Sequence, residues 1–446
     1  MPDYAKHFRG KKITMLGLGV LGRGLHDAKF LTECGATLLI TDMKSKKDLA
    51  TSVVELKNYP NIKYVFGKHR LEDFEKCDMV LKAARVPLDS PYIAHARKCG
   101  IPIEMDASLF VRLANEVTIV GITGTRGKTT TTYLIYEILK AAGKRVYLGG
   151  NIRGMATLPL IKKIKRGDIV VLELDSWQLQ GFGDAKISPH IAVFTNFLDD
   201  HLDYYHNDRK LYFEDKACIF KFQKKEDVLI TGEQVFPVIK KKYRVHAKRS
   251  LVVGAGAVPR SWKLRVPGAH FCANVALAIA VAKKMGIPLA VAKKTVENFP
   301  GVPGRLERLK DVGGKLVYND TCATTPDATL AALQAVGQKK NVLLILGGHD
   351  KKLDMKKLIS QLPLFCKTVV LLPGSGTERI SALVHKYKKL DIVEVGTLKD
   401  AVDAAFRKAA KGDIILFSPA FASFGMFKNE YDRGDQFRAM IQSLRA

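Results

Sequence analysis

The residues best suited to chemistry lie in the run Val120-Gly121-Ile122-Thr123-Gly124-Thr125-Arg126-Gly127-Lys128-Thr129-Thr130. It reads as a buried strand, a Gly-rich turn and a helix that opens on Lys and Thr. Such a corner aims backbone N–H groups and a helix N-terminus at an anion. Gly124, Thr125, Arg126, Gly127, Lys128, Thr129 and Thr130 would cradle nucleotide phosphates, with Lys128 on the outer phosphates and the Thr129 hydroxyl on Mg²⁺. The strict phosphate-loop spacing asks for Gly where Ile122 stands, so the generic pattern is not met. The compact form T-G-T-x-G-K-T-T is specific nonetheless; the alternative is an ordinary strand–turn–helix corner.

A second run, Gly17-Leu18-Gly19-Val20-Leu21-Gly22, follows the apolar stretch Lys11–Leu18. A helix pattern over Leu21–Cys34 and a strand Thr37–Thr41 ending in Asp42 complete a βαβ unit with an acid about twenty residues on. Gly19, Val20, Leu21 and Asp42 are therefore candidate ligand contacts. The pattern alone fits a dinucleotide site, a uridine-nucleotide site or a plain tight turn equally well.

Three further groups follow the phosphate loop. Val170–Ser176 is a buried strand running into acids, and polar groups at the carboxyl end of a parallel strand face the ligand crevice. Glu173 is the natural second metal ligand; its alternative role is a helix cap. Phe194–Asp203 again runs from a strand into Asn, Asp and His, so His201 either binds a divalent ion or packs at a loop. In Tyr212–Cys218, a helical stretch, Lys216 is flanked by Glu214, Asp215 and apolar residues.

The elements that must hold these groups alternate between strand and helix, which predicts an α/β fold with mainly parallel sheets. Residues 1–114 read as a Rossmann-like domain with strands Lys11–Gly17, Thr37–Asp42, Lys63–Gly67, Asp78–Ala83 and Ile103–Met105. Residues 115–300 read as a P-loop ATPase-like parallel sheet with Arg145–Leu148, Asp168–Leu174 and His190–Thr195. Asp227–Ile230 and Ser250–Val253 look peripheral, and Ala273–Lys284 is an Ala-rich helix. Phe299–Gly304, with two Pro and two Gly, is the best linker. Residues 301–446 repeat a Rossmann-like pattern through Lys315–Asn319, Asn341–Gly347, Thr368–Leu372, Asp391–Val395 and Asp413–Ser418.

A chain of 446 residues is too long for one core. No apolar run nears the ~20 residues that span a bilayer, and the first residues carry no signal-peptide core. Seven scattered cysteines without metal spacing point to reduced thiols and a cytoplasmic setting. The net charge of +28 is spread over lysines along the whole chain, with no basic tail and no aromatic pattern of a nucleic-acid module. It therefore reads as a solvated surface on an enzyme of anionic substrates, without a specific nucleic-acid partner.

Taken together, the motifs resemble the Mur ligases, the ATP-dependent amide-forming enzymes of peptidoglycan precursor synthesis. The resemblance runs through all three domains and rests on Gly17–Gly22, the phosphate loop, Gly149–Ile152, Glu173–Leu179, Asn319-Asp320, and the late run Ser418–Phe424 with Phe427–Asn429 and Arg433-Gly434. Folylpolyglutamate synthases share the later domains but lack the N-terminal unit.

The resemblance is strongest to the branch that adds D-glutamate, which implies a monomer acting on UDP-N-acetylmuramoyl-L-alanine and glutamate through an acyl phosphate. Another amino acid such as L-glutamate, or a nucleotide-binding protein without ligase activity, is the alternative. The family's roles fall on Thr129, Glu173, His201 and Lys216 for Mg²⁺, with Lys216 carrying a carbamate. They fall on Asn274, Arg305 and Asp320 for the nucleotide, on Asn151 and His201 for the substrate channel, and on Thr324, Lys351, Ser423 and Phe424 for glutamate. Seven residues at five places depart from the family pattern. Arg126 stands for Asn or Lys, Ala83-Ala84-Arg85 for Ser-Pro-Gly, Phe271 for Asn, Cys322 for Lys and Glu430 for an apolar residue. Arg85 would strain a left-handed glycine position, which implies a remodelled loop.

Overall fold

The computed structural model describes residues 3–20, 22–114, 116–243, 250–337 and 340–444. Leu21, one of the candidate ligand contacts, lies outside them. Three sheets carry the chain. The first contains β1 (Lys12–Leu16), β2 (Thr37–Asp42), β3 (Ile62–Phe66), β4 (Met79–Lys82) and β5 (Ile103–Glu104), all parallel, in the order β3-β2-β1-β4-β5. The second contains β6 (Thr118–Thr123), β7 (Val146–Gly150), β8 (Ile169–Glu173), β9 (Ile191–Phe194), β10 (Val228–Gly232) and β11 (Ser250–Val253), also all parallel, in the order β11-β10-β9-β6-β8-β7.

The third sheet contains β12 (Glu307–Arg308), β13 (Leu316–Asn319), β14 (Val342–Gly347), β15 (Cys366–Leu372), β16 (Asp391–Glu394) and β17 (Ile414–Phe417), in the order β12-β13-β17-β14-β15-β16. Only β12 runs antiparallel, against β13.

Central strands such as β9, β14 and β17 are continuous apolar runs, buried throughout, because both faces of a parallel sheet are covered by the crossover helices. Ile169-Val170-Val171-Leu172-Glu173 is buried at every position, its acid included. The helix Lys128–Ala141 buries Leu134, Ile135, Ile138 and Leu139 at helical spacing. β10, expected at the periphery, is buried throughout and lies between β9 and β11; the half-exposed β11 forms the edge that shields it. β12 is too short to leave a periodic signal in the sequence.

The chain packs as two compact units. One comprises the chain through Phe197 with His201–Val253 and Leu277–Pro288; the other comprises Leu198–Asp200, Gly254–Ala276 and Leu289 onward. The segment expected as a linker lies inside the second. There Val302 bridges Arg305, and Phe299 is buried with its ring stacked on Phe271 at 6.2 Å.

Candidate active site

The phosphate-loop corner forms at the carboxyl end of β6. Gly124 has φ +144°, and a Cβ there would sit 1.9 Å from Thr195 Oγ1. Gly127, at φ 80°, caps the helix Lys128–Ala141, whose first turn carries no acid and no side-chain cap. That helix N-terminus is left open to an anion.

The loop is shaped from β9. Thr195 Oγ1 donates to the Arg126 carbonyl, Asn196 Oδ1 accepts the Arg126 N–H at 2.9 Å, and the Asn196 carbonyl accepts the Thr125 N–H at 2.9 Å. Lys128 Nζ lies back across the loop, 3.0 Å from the Gly124 carbonyl and 3.2 Å from that of Thr125. Lys216, on the helix Arg209–Lys221, reaches the same Gly124 carbonyl at 2.9 Å and lies over the Tyr212 ring. Thus two ammonium groups share one carbonyl oxygen, and Lys216 is 1% exposed. The acids beside Lys216 have further partners, and Asp215 also lies in the field of Lys216. Glu214 takes Lys242 and Tyr243, and Asp215 takes Gln180 and Tyr205. Burial pushes the Asp215 carboxyl above its ordinary range.

Glu173 ends β8 opposite Ile122 of β6, and is buried. Its carbonyl accepts the Asn151 N–H at 2.7 Å, and Asn151 Oδ1 takes Arg23 Nη2 at 2.7 Å. Burial alone would lower the Arg23 pKa; Asp106, Asp175, Asp27 and Glu173 outweigh it and raise it. His201 adopts φ 55°, with its ring 4.4 Å from Trp177 and 6.2 Å from Tyr212. Thr129 is buried, and Thr130 half-buried.

At the end of β1, Gly17, Gly19 and Gly22 all have positive φ, as a tight turn requires. Asp42 closes that turn on itself. Its Oδ2 accepts the N–H groups of Leu18 and Gly19 at 2.9 and 3.1 Å, and its Oδ1 that of Lys44 at 2.9 Å. Val20 is exposed. Arg85 is not among the residues with positive φ, so the strain expected of it is absent and the turn accepts its side chain.

The second unit holds Asn274, Arg305 and Asp320. Asn274 is buried on the helix Ala269–Lys284. Asp320 Oδ1 accepts the Leu306 N–H and Oδ2 the Ser418 hydroxyl; burial raises its pKa to about 7 against the lowering influence of Arg305. Lys351 Nζ contacts Thr324 Oγ1 at 3.2 Å and pairs with Asp200 Oδ1 at 3.1 Å. Ser423 is buried next to Ala422, which bridges His349; the exposed Phe424 ring lies 6.1 Å from that His349. Burial pushes the Cys322 thiol up to about 11, and Arg305, Glu430 and Arg433 lie in its field. Arg433, 1% exposed, donates to Thr321 Oγ1, the Thr321 carbonyl and the Phe421 carbonyl, and burial lowers it to about 10.

Residues 122–258 match the Mur ligase middle domain, and residues 304–421 match the Mur ligase glutamate ligase domain. The chain is 35% identical to the UDP-N-acetylmuramoylalanine--D-glutamate ligase of Roseiflexus sp. (strain RS-1), over 98% of this chain and 99% of that protein. It is also 35% identical to the protein of that name from Borreliella burgdorferi (strain ZS7), over 96% and 97%. This chain belongs to the Mur ligase family.

As a Mur ligase it shares its fold with solved members at lower identity. The UDP-N-acetylmuramate-alanine ligase of Thermotoga maritima superposes with a TM-score of 0.62 at 22% identity, over 97% of this chain and 99% of that one. The MurF ligase of the same organism gives 0.60 at 18%, over 99% and 98%. No helix among the described residues is long and apolar enough to cross a membrane.

The structure thus brings Lys128, Lys216 and the loop glycines together, and separately Lys351 with Thr324. Sequence reasoning missed the partners that shape these groups: the Thr195 and Asn196 clamp, Asp200 on Lys351, and Asp42 on its own turn. Each joins residues far apart in sequence, and only the Asn-Asp-Asp-His run hinted at two of them.

Proposed function

We propose that this chain is an ATP-dependent ligase of the cytoplasm that joins D-glutamate to UDP-N-acetylmuramoyl-L-alanine, a step of peptidoglycan precursor synthesis, and works as a monomer. The observation that carries this reading is the 35% identity, over nearly the whole chain, to relatives named for that reaction. In this reading residues 1–114 bind the UDP substrate, 115–300 bind ATP and 301–446 bind the amino acid.

The phosphates of ATP lie on the loop N–H groups and Lys128, with Asn274, Arg305 and Asp320 serving the nucleoside end. The alanyl carboxylate of the acceptor attacks the γ-phosphorus and ADP leaves. Lys128 and the loop amides offset the charge that gathers on the transferring group. The amine of glutamate then attacks the acyl carbon, and phosphate departs from the tetrahedral adduct. Asn151 and His201 orient the acceptor, while Lys351, Thr324, Ser423 and Phe424 hold glutamate.

The donor set fits Mg²⁺. Thr129, Glu173 and His201 offer hard or borderline donors. Mg²⁺ takes few protein ligands and keeps water and phosphate oxygens, so a set of this size would serve it. When bound, Mg²⁺ would neutralise charge on the phosphates. Lys216 fits this set as a carbamate better than as an ammonium. Two cations on the Gly124 carbonyl repel each other, and carbamylation by CO₂ turns one of them into an anion beside Lys128.

Phosphate release tests the proposal, with ATP, UDP-N-acetylmuramoyl-L-alanine and a panel of D- and L-amino acids. D-Glutamate should give the highest kcat/KM. Cys322 and Glu430 are the observations that favour a second reading: neither supplies a cation for a side-chain carboxylate. A preference for L-glutamate or a neutral amino acid would establish that second reading, and no release with any amino acid would overturn both.

A further inference from the structure

We propose that Arg85 clamps the diphosphate of the nucleotide substrate at the crevice of the first sheet. The inference rests on the reading that this sheet holds the UDP moiety. In the order β3-β2-β1-β4-β5 the chain leaves β1 to one side for β2 and β3 and returns on the other side as β4. In an open parallel sheet, ligands bind outside the carboxyl ends at that reversal. β1 ends there in the Gly17–Gly22 turn, and β4 ends in Ala83-Ala84-Arg85. The two turns touch. The Ala83 N–H donates to the Leu16 carbonyl at 3.0 Å, and a Cβ on Gly17 would lie 3.0 Å from that of Ala83.

A diphosphate placed at this crevice would meet the Asp42 carboxylate, so a cation beside it would favour binding. Asp42 already takes the N–H groups of Leu18 and Gly19, so two amides of the turn are engaged and a carboxylate is added. Of the other cations near it, the half-buried Arg23 bonds Asn151 through Nη2 amid Asp106, Asp175 and Asp27, and the buried Lys82 donates to Gln180. Arg85 differs. Its guanidinium lies 4.7 Å over the Trp177 ring, and among the described residues no carboxylate pairs with it. Trp177 is itself packed against His201 and Tyr204, and Tyr204 donates its hydroxyl to the Val86 carbonyl at 2.8 Å, fixing the turn just past Arg85. A guanidinium held over a ring and not paired with a carboxylate keeps its N–H groups for phosphate oxygens. Arg85 is thereby pre-set as an anion clamp.

Calorimetric titration of UDP into the full-length chain tests this with Arg85→Ala, Arg85→Gln and Arg85→Lys. Arg85 is exposed and makes no hydrogen bond among the described residues, so the variants should fold as the parent does. Loss of the charge should weaken UDP about tenfold to a hundredfold in both the Ala and Gln variants. Lys should retain part of the affinity. The KM for UDP-N-acetylmuramoyl-L-alanine should rise in step, with kcat and the KM for ATP unchanged. Unaltered UDP affinity in Arg85→Ala, or a Gln variant that binds like the parent, would overturn the clamp and leave the ligase reading standing. A parent chain that binds no UDP would overturn the assignment of the first sheet, and the clamp with it.

Discussion

At the level of single residues, two lysines meet on one carbonyl oxygen. Lys128 lies across the loop on the carbonyls of Gly124 and Thr125, and in the proposed reading it serves the phosphates of ATP. Lys128→Ala should keep the fold, because the side chain is only partly buried, and should lower kcat about 10²–10³-fold. A stopped assay of phosphate release beside a circular dichroism spectrum reads both. Lys216 carries the second prediction. Its neighbour Glu214 takes Lys242 and Tyr243, and Asp215 takes Gln180 and Tyr205 while lying in the field of Lys216 itself. Lys216→Ala should be inactive and should regain part of its turnover with a short-chain carboxylic acid that restores the missing anion. Rescue by a short alkylamine in place of the acid would show that the ammonium is the working form.

At the scale of elements, the phosphate loop depends on how closely β6 and β9 approach. Gly124→Ala would drive a methyl group into Thr195 Oγ1 at a φ that L residues avoid. It should cost on the order of 2–4 kcal/mol of stability, measured by urea unfolding, together with loss of nucleotide affinity. In the third sheet, burial raises Asp320 to about 7 from an ordinary 3.8. Between those values the folded chain keeps a proton that the unfolded chain has released, so this group's contribution to stability declines as pH rises and is lost above about 7. Asp320→Asn should therefore gain on the parent between pH 5 and 8, by a few °C in Tm on the order set by a chain of this size. A pH-independent difference in Tm would contradict the burial argument. The central strands of each sheet could be read from their apolar runs, because a strand covered on both faces has few polar positions to blur it. β12, two residues long, and the buried place of β10 could not, since neither depends on its own composition.

For the whole molecule, the family was legible from the phosphate loop, the Glu173 strand and the late Ser418–Phe424 run, which lie far apart and agree with one another. Less legible was what the long-range pairs do. Asp42 and Asp200 were visible as acids at strand ends, but only the fold shows that one closes its own Gly-rich turn and the other meets Lys351. The charge of +28 is shared among lysines and arginines scattered along the chain. What remains is an assignment of reaction, and label transfer tests it most directly. Acceptor with a heavy-oxygen-labelled alanyl carboxylate is incubated with the chain, ATP and D-glutamate, and both products are weighed by mass spectrometry. An acyl phosphate predicts one labelled oxygen in the released phosphate, one retained in the new amide, and a product heavier by one glutamate residue. Unlabelled phosphate, or ATP consumed with no such product, would contradict the account.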